Sequence, residues 1–199
     1  IVEPLSIGAH AVSRANVQSR DLVLVIGAGP IGIGTAFFAR KKGANVIIVD
    51  PIQSRLNFCS ENLDLEGVIH GTTTDAQDHL MQRFKNRLPD IIFEATGNLA
   101  AVEGTLPLLA HGGTVVLVGL QKQNFSFSHP EFHKRETTLL SSRNATREDF
   151  DYVLDSLRSV AFPTNKFITH RCAFNDLQET FNTWMSQRGE IIKAVASFD

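Results

Sequence analysis

Residues 23–34 read Val23-Leu24-Val25-Ile26-Gly27-Ala28-Gly29-Pro30-Ile31-Gly32-Ile33-Gly34, and this stretch decides the fold. An apolar run of strand type empties into Gly27-x-Gly29-x-x-Gly32, and a helical segment follows. A lone acid, Asp50, closes the next apolar run, Val46–Val49. It stands close to the roughly 20-residue distance at which such an acid follows the glycines. That order is the dinucleotide-binding fingerprint. Gly27 permits the tight turn, Gly29 lets backbone approach a pyrophosphate, and Gly32 lets helix and strand pack closely. Pro30 sits where a first helical turn tolerates a missing N–H. The helix start, Ile31 included, then offers free N–H groups to phosphates. A carboxylate at Asp50 can accept from both adenosine ribose hydroxyls and repels a 2′-phosphate, which points to NAD over NADP. Arg55 either stacks on adenine or lies near a 2′-phosphate. A methyltransferase would also place an acid after its second strand. The glycine spacing and the lack of a methyl-acceptor motif count against that class.

Residues 22–39 carry no charge and are long enough to suggest a membrane helix. Four glycines and a proline inside them argue otherwise. The formal net charge is −2 with no block of like charge, so neither nucleic acid nor an anionic membrane is expected as a partner. Cys59 and Cys172 are the two cysteines, too few and too far apart for a disulfide framework or a zinc cluster. A reducing, cytoplasmic setting is expected. The 199 residues suit one domain plus an appendage. The apolar start, without an initiator Met, suggests a piece of a longer protein.

Outward from the fingerprint, short apolar runs alternate with amphipathic segments, the signature of a parallel sheet. Strands are expected at 22–26, 46–49, 67–70, 90–94, 114–118 and 137–141, six in a doubly wound Rossmann α/β fold. Helices are expected at 30–42, 51–63, 75–86, 99–109 and 148–160. Gly43 reads as a helix stop after Lys41-Lys42. Asn98 reads as an N-cap, and Thr146 with Asp149 as a capping box. Thr96-Gly97 and Val118-Gly119-Leu120 end strands at the edge where ligands bind. The pattern changes after Phe162: a strand at 166–173, a helix whose stripe Leu177, Phe181, Trp184 and Met185 reads as core, and a strand at 191–196.

The fingerprint, the opening Glu3-Pro4-Leu5-Ser6-Ile7-Gly8-Ala9-His10-Ala11 and the segment Ser141-Ser142-Arg143-Asn144 together carry a resemblance. The chain resembles the C-terminal part of zinc-dependent medium-chain dehydrogenases, in the sorbitol dehydrogenase branch. It looks most like bacterial dehydrogenases of aldonates such as L-galactonate or L-idonate. The resemblance spans essentially the whole chain. It implies an NAD-dependent, zinc-assisted oxidation of a secondary alcohol in a sugar acid or polyol. It also implies a GroES-like catalytic domain that is mostly missing here. Residues 1–12 would link to that domain, 13–144 would bind NAD, and 145–199 would return to it. Glu3 matches a glutamate beside the catalytic zinc. Ile31, Asp50, Arg55, Val118, Gly119, Leu120, Ser142, Arg143 and Asn144 match cofactor-contacting positions. Arg143 and Asn144 also match positions that reach a polyol. The aromatic pairing usual around that arginine is absent, which leaves the substrate open. Family members are dimers or tetramers, and either strand 137–141 or 115–120 could extend a sheet across a twofold axis.

By residue type alone, Glu3 reads as a surface carboxylate, and the resemblance reverses that. Arg143 reads equally as a solvated strand-end residue and as a bidentate partner for a phosphate or carboxylate. His129 and His133 could share a helix face but read as surface positions, and none of the seven histidines is assigned to catalysis. One carboxylate cannot hold a catalytic zinc. The chain alone is therefore expected to bind a nucleotide and oxidise nothing.

Overall fold

A computed structural model describes residues 1–84, 87–159, 162–187 and 189–198. The elements run α1 (Val2–Arg14), β1 (Leu22–Ile26), α2 (Pro30–Lys41), β2 (Asn45–Asp50), α3 (Gln53–Asn62), β3 (Gly67–His70), α4 (Thr73–Arg83), β4 (Ile91–Glu94) and α5 (Leu99–Glu103). They continue with β5 (Thr114–Leu117), α6 (His129–Lys134), β6 (Thr138–Ser141), α7 (Arg147–Ser159), α8 (Thr164–Phe167), β7 (Ile168–Ala173), α9 (Leu177–Ser186) and β8 (Lys193–Ser197).

Six parallel strands form one sheet in the order β3-β2-β1-β4-β5-β6. Every residue of β1 is buried, as a central strand covered on both faces requires. Its alternation still sorts two cores. Val23 and Val25 face the core shared with α1, α2, α3 and α7. Leu22, Leu24 and Ile26 face the core that holds Ala76 and Leu80 of α4. This is the doubly wound Rossmann arrangement. The chain reverses direction across the sheet between β1 and β4, and ligands bind outside the carboxyl ends of strands at such a point.

All six expected strands form, within a residue or two of their expected bounds. The differences have local causes. Val2–Arg14, where no helix was expected, form α1. Its Leu5, Ser6, Gly8, Ala9, Ala11 and Val12 are buried against α2. A Cβ on Gly8 would fall 2.6 Å from Thr35 N, and one on Gly34 would fall 3.1 Å from a Leu5 methyl, so the two helices touch at their glycines. Helix α3 starts after Pro51 because the Ile52 N–H donates to Asp50 Oδ1 at 2.8 Å. Helix α4 starts at Thr73, with Thr72 and Asp75 forming a capping box. The expected 99–109 helix stops at Glu103, and Leu106–Leu108 make a separate 3₁₀ turn. The expected ends at 85–86 and 160 lie outside the described residues.

The expected ends at Asn98 and Gly43 form. Asn98 Oδ1 accepts from Ala101 N, and Gly43 has φ +89°. Thr146 and Asp149 make the expected box, in which Asp149 Oδ2 accepts from Thr146 N at 2.8 Å. The same carboxylate oxygen lies 2.7 Å from His10 Nδ1, which ties α7 to α1. Tyr152 and Ser156 of α7 also meet α2, at Phe38 and Lys41.

The last third builds a second, two-stranded parallel sheet from β7 and β8. The stripe expected as core on α9 is largely exposed: no α9 residue is buried, and Phe181 and Met185 face solvent. Leu177 and Trp184 are half-buried, with the Trp184 ring against His170, so the face is covered only in part. Strand β5 lies between β4 and β6, so residues 115–120 offer no edge, and β6 is the free edge on that side. No helix among the described residues is long and apolar enough to cross a membrane.

Candidate nucleotide crevice

The glycine turn joins β1 to α2 at the carboxyl edge of the sheet. Gly27 has φ +102°, a conformation side chains rarely adopt. A Cβ on Gly32 would fall 1.8 Å from Gly27 O, so only glycine fits there. Gly29 is different: its Cβ would meet nothing within 4 Å. It is the N-cap of α2, no side chain caps that end, and no acid stands in the first turn. Pro30 begins the helix and Ile31 is half-buried. An uncapped helix start below open space is an anion site.

Asp50 ends β2 and is 4% exposed. Its Oδ2 accepts from Ala28 N at 2.6 Å, and its Oδ1 accepts from Ile52 N at 2.8 Å. The carboxylate thus holds the glycine turn in place. It has about four acceptor sites, so two remain for other donors. Around it opens a cavity of about 330 Å³, lined by Gly27, Asp50, Ile52 and Arg55 on one side and Thr96, Asn98 and Ala101 on the other. That volume is at the lower end of small-ligand sites. Arg55 rims it from α3, and its Nη2 lies 3.5 Å from Ile191 O.

The strand ends beyond β4 stand side by side. Gly97 and Gly119 are in backbone contact, since a Cβ on Gly119 would fall 2.1 Å from Gly97 N. Val118 is half-buried and Leu120 is 84% exposed. Ser142 N donates to Leu117 O at 2.9 Å, while Ser142 Oγ is buried with no partner among the described residues. Arg143 and Asn144 are exposed, and Asn144 has φ +58°. Gly27, Asp50, Arg55 and Thr96 therefore share one cavity. Val118, Gly119, Leu120 and Ser142 continue along the same sheet edge. Glu3 is exposed in the first turn of α1.

One residue escaped the sequence reading. Glu94 ends β4 as Asp50 ends β2, and it is 0% exposed. The signal was present as a lone carboxylate closing Ile91-Ile92-Phe93.

No group of three or more His, Cys, Asp or Glu among the described residues could hold a metal. His129 and His133 face each other on α6 at 6.1 Å between ring centroids, with no buried residue around them. Both cysteines are free. Burial, and then the Asp50 carboxylate, push the Cys59 thiol up to about 12.

A Rossmann sheet with an uncapped glycine turn and an acid at the end of β2 is the arrangement of the dinucleotide-binding folds. Residues 30–159 match the zinc-binding dehydrogenase family, and the chain belongs to that family. It is 40% identical over 198 residues to L-galactonate-5-dehydrogenase of Escherichia coli K12, covering 100% of this chain and 58% of that protein. An Escherichia coli oxidoreductase/dehydrogenase of unknown specificity superposes with a TM-score of 0.92 at 26% identity, covering 100% of this chain and 56% of the other. An alcohol dehydrogenase from Escherichia coli CFT073, solved with NADH, superposes at 0.89 with 24% identity over 99% of this chain and 58% of the other, which shows the fold. The chain spans a little over half the length of these relatives.

Proposed function

We propose that this chain is the nucleotide-binding part of an NAD-dependent alcohol dehydrogenase that oxidises a secondary alcohol of a sugar acid or polyol. One observation carries the reading: Gly27, in the turn that leads into the uncapped start of α2, and the Asp50 carboxylate line the same cavity. The pyrophosphate lies at Gly27, Gly29, Pro30, Ile31 and Gly32, held by N–H groups and the positive end of α2. The two acceptor sites left on Asp50 take the ribose hydroxyls and disfavour a 2′-phosphate. Arg55 rims the adenine end. Thr96, Val118, Gly119, Leu120 and Ser142 line the path of the nicotinamide half. Exposed Leu120 gives the ring an apolar neighbour, and Ser142 Oγ is a buried group without a partner for its amide.

Thr96, Val118, Gly119 and Leu120 would hold the nicotinamide ring, which would supply the hydride acceptor for the alcohol carbon. Arg143 and Asn144, past the end of β6, meet the substrate, and a guanidinium suits an aldonate carboxylate. The 40% identity to L-galactonate-5-dehydrogenase supports that substrate class. A catalytic zinc takes three protein ligands. Among the described residues no group of three or more His, Cys, Asp or Glu supplies them, at Glu3 or elsewhere. The other ligands then belong to a catalytic domain outside this chain. The free edge of β6 suits pairing into dimers or tetramers, and the setting is cytoplasmic.

Calorimetric titration with NAD⁺, NADP⁺ and S-adenosylmethionine tests the crevice. NAD⁺ is expected to bind at least tenfold tighter than NADP⁺, about 1.4 kcal/mol, with no heat from the third. Absence of heat with NAD⁺ would overturn the reading. For the reaction, the protein carrying both domains is supplied with zinc, NAD⁺ and a panel of aldonates and polyols. If none yields NADH, the substrate class is wrong.

A further inference from the structure

We infer that Glu94 is a positioning residue: its carboxylate fixes the turn after β4 against the Val118–Leu120 loop that its main-chain carbonyl anchors, and the nicotinamide half lies on these two loops. The inference rests on the reading of the crevice as an NAD site.

The carboxylate is wholly buried, and among the described residues no Lys, Arg or His forms an ion pair with it. A buried carboxylate costs several kcal/mol unless its oxygens are bonded. Its donors are the turn that follows β4. Oε1 accepts from Thr96 N at 2.8 Å and from the Thr96 hydroxyl. Gly97 N lies 3.2 Å from Oε1 and 3.1 Å from Oε2. The main-chain carbonyl of the same residue accepts from Val118 N at 2.8 Å and Gly119 N at 2.9 Å. Glu94 is therefore bonded to both loops at once.

Those loops have no slack between them. A Cβ on Gly119 would fall 2.1 Å from Gly97 N and 2.9 Å from Glu94 Oε2, and one on Gly97 would fall 2.6 Å from Leu120 O. The constraint also passes outward. Thr96 Oγ1 accepts from Asn98 N at 2.9 Å, and Asn98 caps α5. Glutamine has nearly the same size but turns an NH₂ toward N–H donors. The Glu94→Gln exchange thus leaves Gly97 N facing a donor and frees the turn to move against Val118–Leu120.

The test compares NAD⁺ with adenosine 5′-monophosphate, which lies beside Asp50 and leaves the Val118–Leu120 loop uncovered. In Glu94→Gln the NAD⁺ dissociation constant is expected to rise at least tenfold, while that for the monophosphate changes less than threefold. Amide exchange at Thr96 and Gly97 should quicken. A merely structural loss would weaken both ligands together, and that result, or unchanged NAD⁺ affinity in a folded variant, overturns the role. If Glu94→Gln does not fold, Glu94→Asp keeps the charge but falls a methylene short, and the same ratio decides. A wild-type protein that binds neither ligand sinks the crevice reading itself. A wild-type protein that binds NAD⁺ beside unaffected Glu94 variants sinks only the positioning role.

Discussion

Asp50 Oδ2 and the backbone N–H of Ala28 are 2.6 Å apart, so the acid that ends β2 also braces the turn that follows β1. On the proposed reading, the bond joins cofactor choice to local stability. Asp50→Asn keeps the shape but must point an amide NH₂ at the N–H of Ala28 or of Ile52. A buried donor left unpaired costs roughly 1–3 kcal/mol. Thermal unfolding should show that loss, and calorimetry should show weaker NAD⁺ binding with a narrower preference over NADP⁺. A variant as stable as wild type would show that the turn does not depend on the carboxylate.

Two glycines five-sixths of a helical turn apart should behave oppositely. Gly32→Ala drives a methyl to 1.8 Å from Gly27 O, and overpacking of that severity is expected to cost about 3 kcal/mol or more. Gly29→Ala meets nothing within 4 Å, so stability should stay within about 0.5 kcal/mol of wild type. NAD⁺ affinity should still fall, because the new methyl stands where the pyrophosphate approaches backbone. Chemical denaturation and NAD⁺ titration of the pair separate the two effects. Equal destabilisation of both would contradict the geometry.

Helix α1 is tested at Gly8. Its Cβ would fall 2.6 Å from Thr35 N and 2.8 Å from Gly34 C, both backbone atoms. Gly8→Ala gains helix propensity, yet the two helices must part. A net loss of about 1–3 kcal/mol is expected in urea unfolding. Stabilisation instead would mean that α1 does not sit tightly on α2.

Alkaline pH should weaken the fold through Cys59. Its thiol titrates near 12 in the folded chain against an ordinary value of 9.0. Between those values the unfolded chain has released the proton and the folded chain has kept it. Stability therefore falls as pH rises from 9 toward 12, by up to about 1.4 kcal/mol per pH unit for one proton. Cys59→Ala should flatten that part of the slope in denaturation curves taken across the window. At neutral pH Cys59 should resist thiol reagents while half-buried Cys172 reacts, a contrast readable by mass spectrometry.

The sheet was legible because its strands are short apolar runs bounded by glycines and acids, and that pattern survives without tertiary context. The glycine turn was legible because each glycine answers a separate steric demand. Helix α1 was not, since Gly8, Ala9 and Ala11 bury little side-chain surface and so give a weak stripe. The break at Gly104 was marked by Glu103-Gly104-Thr105 and Pro107, signals passed over between apolar residues, and packing on α4 adds to them: a Cβ on Gly104 would meet Thr73 Oγ1 at 2.5 Å. On α9 the stripe has helical period but faces solvent, because periodicity reports which side is apolar and not whether anything covers it. Glu94 went unread because no motif spacing marks it, and apart from the Thr96 hydroxyl its partners are backbone atoms, which a sequence cannot display. Arg143 and Asn144 were legible only as a charged and a polar residue after an apolar strand, and both are exposed.

The contact between Gly32 and the Gly27 carbonyl bears on engineering. A floor that rejects a single methyl group offers no room for redesign. Attempts to retune nucleotide choice should leave 27–32 untouched and work at the outer lip, from Pro51 to Arg55, where side chains already meet open water.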